Sequence, residues 1–394
     1  MRFEAATNFN KLMFLTALSF VFLTTTTTVQ ALTLLSDIKA LQAFKASIKA
    51  STIPSYSCLA SWDFTTDPCS LPRRTHFTCG LSCSPDSTRV TRIVLDPVGY
   101  SGKLSPLISQ LTQLTSLDLS DNNFYGQIPS SLYSLSNLQT LILRSNSFSG
   151  SIHPSISNLK SLQSLDLSRN LLSGSVPDSI SSVRNLQRLD LSFNKFRGSL
   201  PKSLPGSLTE LAIKSNLLSG QLLGSTFKGL ARLEVVELSA NSFSGTLPAW
   251  FFRLQAIQQV NLSNNSFTEI EVLKPNADES DLIAVDLSFN QIQGYVPINF
   301  AFYPLLSSLS LRYNRLRGPV PLEFSKKQTL RRLFLDGNFL NGKPPNGLFS
   351  GEAPVAGSLA DNCLQSCPVS SQLCSPAQKP TAVCRQAYGG KPRP

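Results

Sequence analysis

One line of residues recurs ten times along the chain and leaves little freedom in what it can fold into. It reads LTSLDLSDNNFYGQIP from Leu114, LQTLILRSNSFSGSIH from Leu138, LQSLDLSRNLLSGSVP from Leu162 and LQRLDLSFNKFRGSLP from Leu186, and it runs on to LRRLFLDGNFLNGKPP from Leu330. One asparagine marks each copy: Asn122, Asn146, Asn170, Asn194, Asn216, Asn241, Asn265, Asn290, Asn314 and Asn338, spaced 22 to 25 residues apart. Self-similarity at such a period is the mark of stacked coils, each touching only its neighbours. In LxxLxLxxN the central L-x-L is a short strand that sends both leucines inward. One such strand cannot bury its apolar side alone, so neighbouring coils must stack into a parallel sheet over a continuous core. The asparagine closes the strand's turn, where its amide serves backbone groups that burial leaves without water. The following Gly-x-x-Pro, as in Gly126–Pro129 and Gly174–Pro177, turns the chain tightly and then extends it along the far side.

Two copies depart from this line. The junction around Ser203–Ser207 is two residues short, which predicts a tighter turn. The seventh copy replaces Gly-x-x-Pro with the polar, acidic Thr268–Ser280, which predicts a local irregularity on the convex side.

The ends of the chain frame the array. Residues 1–31 carry Arg2 and Lys11, an apolar run from Leu12 to Leu23, and Val29-Gln30-Ala31, the layout of a secretory signal. That run falls short of the roughly 20 residues needed to cross a bilayer. Residues 32–88 read as an N-terminal cysteine-containing cap and 89–110 as a degenerate first coil. The ten repeats occupy 111–352, and 353–394 form a C-terminal cysteine-containing cap and tail. Ser36–Ala50 reads as an amphipathic helix through Ile38, Leu41, Phe44 and Ile48, with Ser36 as its N-cap. Its expected role is to cover the exposed edge of the first coil. The polar tail after Cys384 carries neither a transmembrane helix nor the hydrophobic segment of a lipid anchor. The expected location is therefore the extracellular space or cell wall.

Eight cysteines sit in two sets, Cys58, Cys69, Cys79 and Cys83 before the array and Cys363, Cys367, Cys374 and Cys384 after it. In a secreted chain these read as two disulfide-stapled caps, each set allowing three pairings. The chain has 35 Lys and Arg against 24 Asp and Glu, a formal charge of +11 that stays near +10 without residues 1–31. Outside the cell such an excess points to an acidic protein partner or a pectic polysaccharide. Nucleic acid is not an expected partner.

The form LxxLxLxxNxLxGxIP resembles the plant-specific extracellular class of leucine-rich repeats. Asp37–Leu41, Ser61-Trp62 and Asp67-Pro68-Cys69 are similar to that family's N-terminal cap. The resemblance covers essentially the whole of residues 32–394. It implies an α/β repeat solenoid, a right-handed superhelix with a concave parallel β-sheet and disulfide-bonded caps. Such solenoids occur in receptor ectodomains, receptor-like proteins without a kinase, and secreted inhibitors. The layout of ten repeats and four cysteines per end is similar to polygalacturonase-inhibiting proteins, although the cysteine spacings differ. It also looks like the repeat portion of leucine-rich-repeat extensins without their Ser-Pro tail.

Catalytic signatures do not stand out. The two histidines, His76 and His153, have no partner in sequence, and no phosphate loop, nucleophile elbow or metalloprotease motif occurs. Asp118, Asp166, Asp190 and Asp286 share one column, but sequence marks none of them as desolvated. The expectation is a protein without catalysis, cofactor or metal. Two clusters rise above the Ser, Thr, Gln and Asp of the concave face. One is a basic stripe, Arg144, Arg169, Arg188 and Lys214. The other is Phe289, Arg312, Tyr313, Arg331, Arg332 and Phe334, where exposed aromatics alternate with arginine as they do in binding hot spots. Asn261 and Asn264 each begin a glycosylation sequon beside that face. The expected function is binding of a protein or peptide partner on the concave face, in extracellular recognition, receptor-type signalling or defence. A receptor ectodomain is one such partner. The alternatives are inhibition of a wall hydrolase and a structural role held by pectin.

Overall fold

A computed structural model describes residues 32–69, 80–275, 280–349, 355–368 and 370–389. The signal reading of residues 1–31, together with His76 and Cys79, lies outside the described residues. Residues 32 onward fold as one right-handed solenoid whose concave face is a 13-stranded sheet. It opens with an antiparallel pair, Gly80–Cys83 against Val90–Val94, and continues as parallel three-residue strands from Ser116–Asp118 to Arg332–Phe334 and Ala356–Ser358. The strands pair in strict register: Leu165 lies beside Leu189, and Leu189 beside Leu211. The middle residue of each repeat strand is buried and its two neighbours lie on the concave side, all but Ala212 and Ser310 reaching solvent, as the period of two requires.

Each turn after a strand is held by its asparagine. The amide of Asn194 donates to the carbonyls of Leu191, Ser192 and, in the preceding coil, Leu167, at 2.9 to 3.2 Å. Its Oδ1 accepts the Leu172 N–H of that coil at 3.0 Å. The same set recurs at Asn170, Asn265 and Asn314, and the ladder runs one coil past the ten repeats, to Asn362. Below the ladder lies a spine of buried phenylalanines, with Phe44 of the cap helix stacked on Phe124 and Phe124 on Phe148.

The segments after the asparagines form a second parallel sheet on the flank. It has eight strands, from Ser101–Gly102 to Ser266–Ile270, and a separate group of three begins at Gln293–Tyr295. The break falls at the seventh copy, where the pairing with Ser242–Leu247 also slips between Gly245 and Thr246. Short 3-10 helices such as Ser130–Ser134 and Pro154–Asn158 line the convex side. The shortened junction has none: between Lys195–Gly198 and Glu210–Ala212 the chain crosses by turns alone. His153 is exposed, as a surface histidine should be, but it is not without partners. Its Nδ1 accepts the Ser155 N–H at 3.2 Å at the start of a 3-10 helix, and its ring stacks on Tyr133.

The cap helix is shorter than its periodicity suggests, spanning Leu35–Ala46. Ser36 is not its N-cap. That position is Leu34, and the Ser36 hydroxyl instead donates to Asp37 within the first turn. Asp37 is buried, pairs with Arg89 and accepts the Val90 N–H at 2.9 Å, which ties the helix to the first parallel coil. The helix stops early because Ile48 bridges to Gly102 and the Lys49 N–H donates to the Ser101 carbonyl. The described disulfides stay within each cap: Cys69–Cys83, Cys363–Cys384 and Cys367–Cys374, with Cys58 also disulfide-bonded.

The ladder predicts a large, local cost. Asn194→Ala removes four bonds and leaves the buried Leu172 N–H without its acceptor, while the Leu167, Leu191 and Ser192 carbonyls keep bonds from Asn170, Asn216 and Arg169. It should destabilise the protein by about 1–3 kcal/mol in urea unfolding. Asn123→Ala, at an exposed position beside the ladder residue Asn122, should cost under about 0.5 kcal/mol. Equal losses at both sites would mean that the ladder does not carry the turns.

Candidate functional site: the concave face

Four outward positions per coil make up the concave surface, and the last of them has unusual backbone geometry. The residue just before each ladder asparagine is left-handed: Asp121, Ser145, Arg169, Phe193, Ser215, Ala240, Asn264, Phe289 and Tyr313 all have φ between 50° and 56°. Side chains rarely adopt this conformation, at about 1 kcal/mol or more each. The tight turn that presents both amide and carbonyl to the next coil imposes it here, as in the Phe289 N–H bond to the Arg312 carbonyl.

This column gathers the aromatic cluster. Phe289 and Tyr313 stack at 4.7 Å between centroids, 14° from parallel. The Tyr313 ring lies over Gly337, the next residue of the column, where a Cβ would meet ring carbon Cδ1 at 2.4 Å. Arg312 sits between the Tyr313 and Phe334 rings and donates twice to Asp336 Oδ2, at 2.7 and 3.1 Å. Phe289, Arg312, Arg332 and Phe334 border one depression of about 570 Å³, whose other wall carries Glu237 and Asp286. Arg332 is exposed and makes no ion pair among the described residues. Arg331 stands apart, its guanidinium turned to the Gln328 carbonyl at 2.7 Å.

The basic stripe becomes a mixed-charge surface once the coils stack. Arg144 pairs with Asp121 at 2.9 Å, Arg188 with Glu210 at 3.0 Å, and Lys214 lies 4.0 Å from Glu237. Arg169 lies over the Phe193 ring at 4.4 Å. Arg144, Arg169 and Lys214 share a second depression of about 310 Å³ with Asp166, Asp190 and Phe193, while Arg188 stays outside it. Arg144 is held above its ordinary pKa by its bond to Asp121, against a smaller opposing effect of burial.

Asp166 corrects a second expectation, because it is a desolvated acid. Burial raises its pKa above the ordinary aspartate value, and the charge of Asp190 adds to this. Bonds from Ser168 and the charge of Arg144 oppose it. Asp336, Glu237, Ser192 and Phe193 were not legible as site residues. Phe193 alone had a signal, since it occupies the slot of Phe289 and Tyr313.

The two sequons differ in setting. Asn261 is half-buried at the end of a strand, donating to Glu237 at 3.1 Å and accepting both the Ser263 N–H and hydroxyl. Asn264 is exposed in the left-handed column.

The chain is a leucine-rich-repeat protein. The leucine rich repeat pattern matches residues 113–135, 136–196 and 206–267, and the leucine rich repeat N-terminal domain matches 34–72. Among named relatives, Receptor like protein 27 of Arabidopsis thaliana is 37% identical over 70 residues, which is 18% of this chain and 9% of that protein. Two solved ectodomains are similar in fold and sequence. The receptor kinase GASSHO1/SCHENGEN3 of Arabidopsis thaliana, in complex with CASPARIAN STRIP INTEGRITY FACTOR 2, aligns at 28% identity and a TM-score of 0.61, over 72% of this chain and 37% of its own. The PEPR1–AtPEP1 complex aligns at 26% and 0.63, over 84% and 52%. The chain thus spans a small part of that curated relative and about a third to a half of these ectodomains. Among the described residues no helix is long and apolar enough to cross a membrane.

Two outcomes follow. A carboxyl whose pKa is raised by folding costs stability as pH rises through that pKa. Asp166→Asn should therefore raise the melting temperature at pH 7, the gain fading as pH falls below the ordinary aspartate value of 3.8. A loss at pH 7 would mean that the native state needs the charge. A glycan on Asn261 Nδ2 would have to displace its bond to Glu237 and fill the 570 Å³ depression. Peptide mapping of the secreted protein should find Asn264 glycosylated and Asn261 bare, and occupancy of Asn261 would overturn this assignment.

Proposed function

We propose that this protein is a non-enzymatic extracellular recognition module that binds an extended peptide, or a peptide segment of a protein partner, along its concave face. The observation that carries the reading is the 570 Å³ depression, where the Phe289 and Phe334 rings and the unpaired Arg332 converge with Glu237 and Asp286. Rigid aromatics beside an unpaired guanidinium supply apolar anchoring area and charge at little entropic cost. Three-residue strands offer side chains rather than a free sheet edge, so recognition runs through the columns. The two similar ectodomains, solved with CASPARIAN STRIP INTEGRITY FACTOR 2 and with AtPEP1, support a peptide as the class of ligand.

Arg312 belongs to the scaffold of this site, because its loss would strand the buried Asp336 carboxylate. The informative variant is therefore Phe289→Ala/Arg332→Ala/Phe334→Ala with Arg312 kept. Capture from an apoplastic peptide fraction, followed by titration of the recovered peptide, should show an affinity loss of 30-fold or more, about 2 kcal/mol. Unchanged affinity with a folded variant would move recognition away from this depression.

A further inference from the structure

The outward strand positions follow a charge rule across the coils. Where the second outward position is acidic, at Asp118, Asp166, Asp190, Glu237 and Asp286, the residue two further on is serine: Ser120, Ser168, Ser192, Ser239 and Ser288. Each of these serine N–H groups donates to its acid, as Ser192 does to Asp190 Oδ1 at 2.9 Å. Where that position is Ile142, Ala212 or Ser310, the residue two further on is a cation: Arg144, Lys214 or Arg312. Acid and cation therefore alternate from coil to coil, apart from the neutral Asn261 between Glu237 and Asp286 and one rung where two acids are adjacent. Asp166 and Asp190 stand directly beside each other in register, and neither makes an ion pair among the described residues.

The cations around this rung are engaged elsewhere. Arg144 is bonded to Asp121, Lys214 leans to Glu237 and the Phe193 ring, and Arg169 covers that same ring. The serines of the rung differ from each other. The Ser168 hydroxyl donates to Asp166 at 2.6 Å, whereas the Ser192 hydroxyl, almost completely buried, has no partner and borders the 310 Å³ depression. A buried hydroxyl left unpaired costs about 1–3 kcal/mol, so a group that satisfies it gains by binding. The depression thus holds two carboxylates without an ion pair and an unpaired hydroxyl, beside three cations whose closest bonds and ring contacts lie elsewhere. Neighbouring parallel strands lie about 4.8 Å apart, a span that one forked guanidinium or one ammonium bridges between two carboxylates.

We propose that the Asp166–Asp190 rung, with Ser192, is a subsite for one cationic side chain, an arginine or lysine, of the peptide bound on the concave face. It rests on the peptide-binding reading above and adds to it the charge and place of one ligand residue. The raised pKa of Asp166 agrees, since a bound cation relieves both the burial of its charge and the repulsion from Asp190.

The test is an immobilised positional-scanning library of capped decapeptides probed with the full secreted chain. Wild type should select Arg or Lys at one position by about tenfold over Gln. Asp166→Asn/Asp190→Asn should abolish that selection while keeping the apolar selection made by Phe289 and Phe334. This variant has a precedent for folding, because Asn261 fills the same column and holds the Ser263 N–H and hydroxyl in the same way. Cation selection that survives in the double variant overturns the subsite. Apolar selection without any preference for Arg or Lys also overturns it, and leaves the peptide reading standing. If wild type selects nothing at any position, both fall.

Discussion

Every strand of the concave sheet ends in a turn that burial would leave short of hydrogen-bond partners, and one side-chain amide per coil makes up the shortfall. The asparagine bonds upward within its own turn and sideways to the coil before it, so one residue both closes a coil and joins it to its neighbour. Leucines alone would give a core with no fixed register, because apolar burial has no direction. The amide supplies the direction. It accepts from one specified N–H and donates to three specified carbonyls, and a slip by one residue would lose all four bonds.

With the coils joined in this way, the concave side chains are left to meet one another across coils. The result is a surface more internally neutralised than the net charge suggests. Arg144, Arg188, Lys214 and Arg312 each face a carboxylate on a neighbouring coil, whereas among the described residues Arg332, Asp118, Asp286 and both carboxylates of the Asp166–Asp190 rung make no ion pair. The aromatic groups behave alike: Arg169 on Phe193, and Arg312 between Tyr313 and Phe334, are ordered before any ligand arrives. A preformed face loses little freedom on binding.

The fold was legible because its cause is periodic. The leucine pairs and asparagines report strand, core and ladder coil by coil, and they did so correctly for the ten repeats. Asn362 follows Asn338 by the same 24 residues, yet its coil was not recognised. The central strand residue there is Gly357 in place of leucine, and a Cβ at that position would come within 1.8 Å of the Leu333 carbonyl. The site was legible only as a list of residue types. Whether Arg144 is a free cation depends on Asp121, 23 residues earlier, and only stacked coils bring the two together. Asp166 is desolvated for the same kind of reason, since its surroundings are built from other coils. The cap helix was misjudged at both ends because tertiary bonds from Asp37 and Ile48, rather than local propensity, set its limits.

The left-handed column has a consequence for how such a face changes over generations. Its occupants are acidic, basic, aromatic, amide and small, but no valine, isoleucine or threonine stands among them. Branching at Cβ makes this backbone conformation far costlier, whereas asparagine and aspartate meet the least strain among non-glycine residues. Exchange within the permitted set therefore costs less folding stability than branching at Cβ would, while altering what the surface recognises. The column works as a restricted alphabet, in which ligand preference can drift from one lineage to the next without first passing through an unstable intermediate.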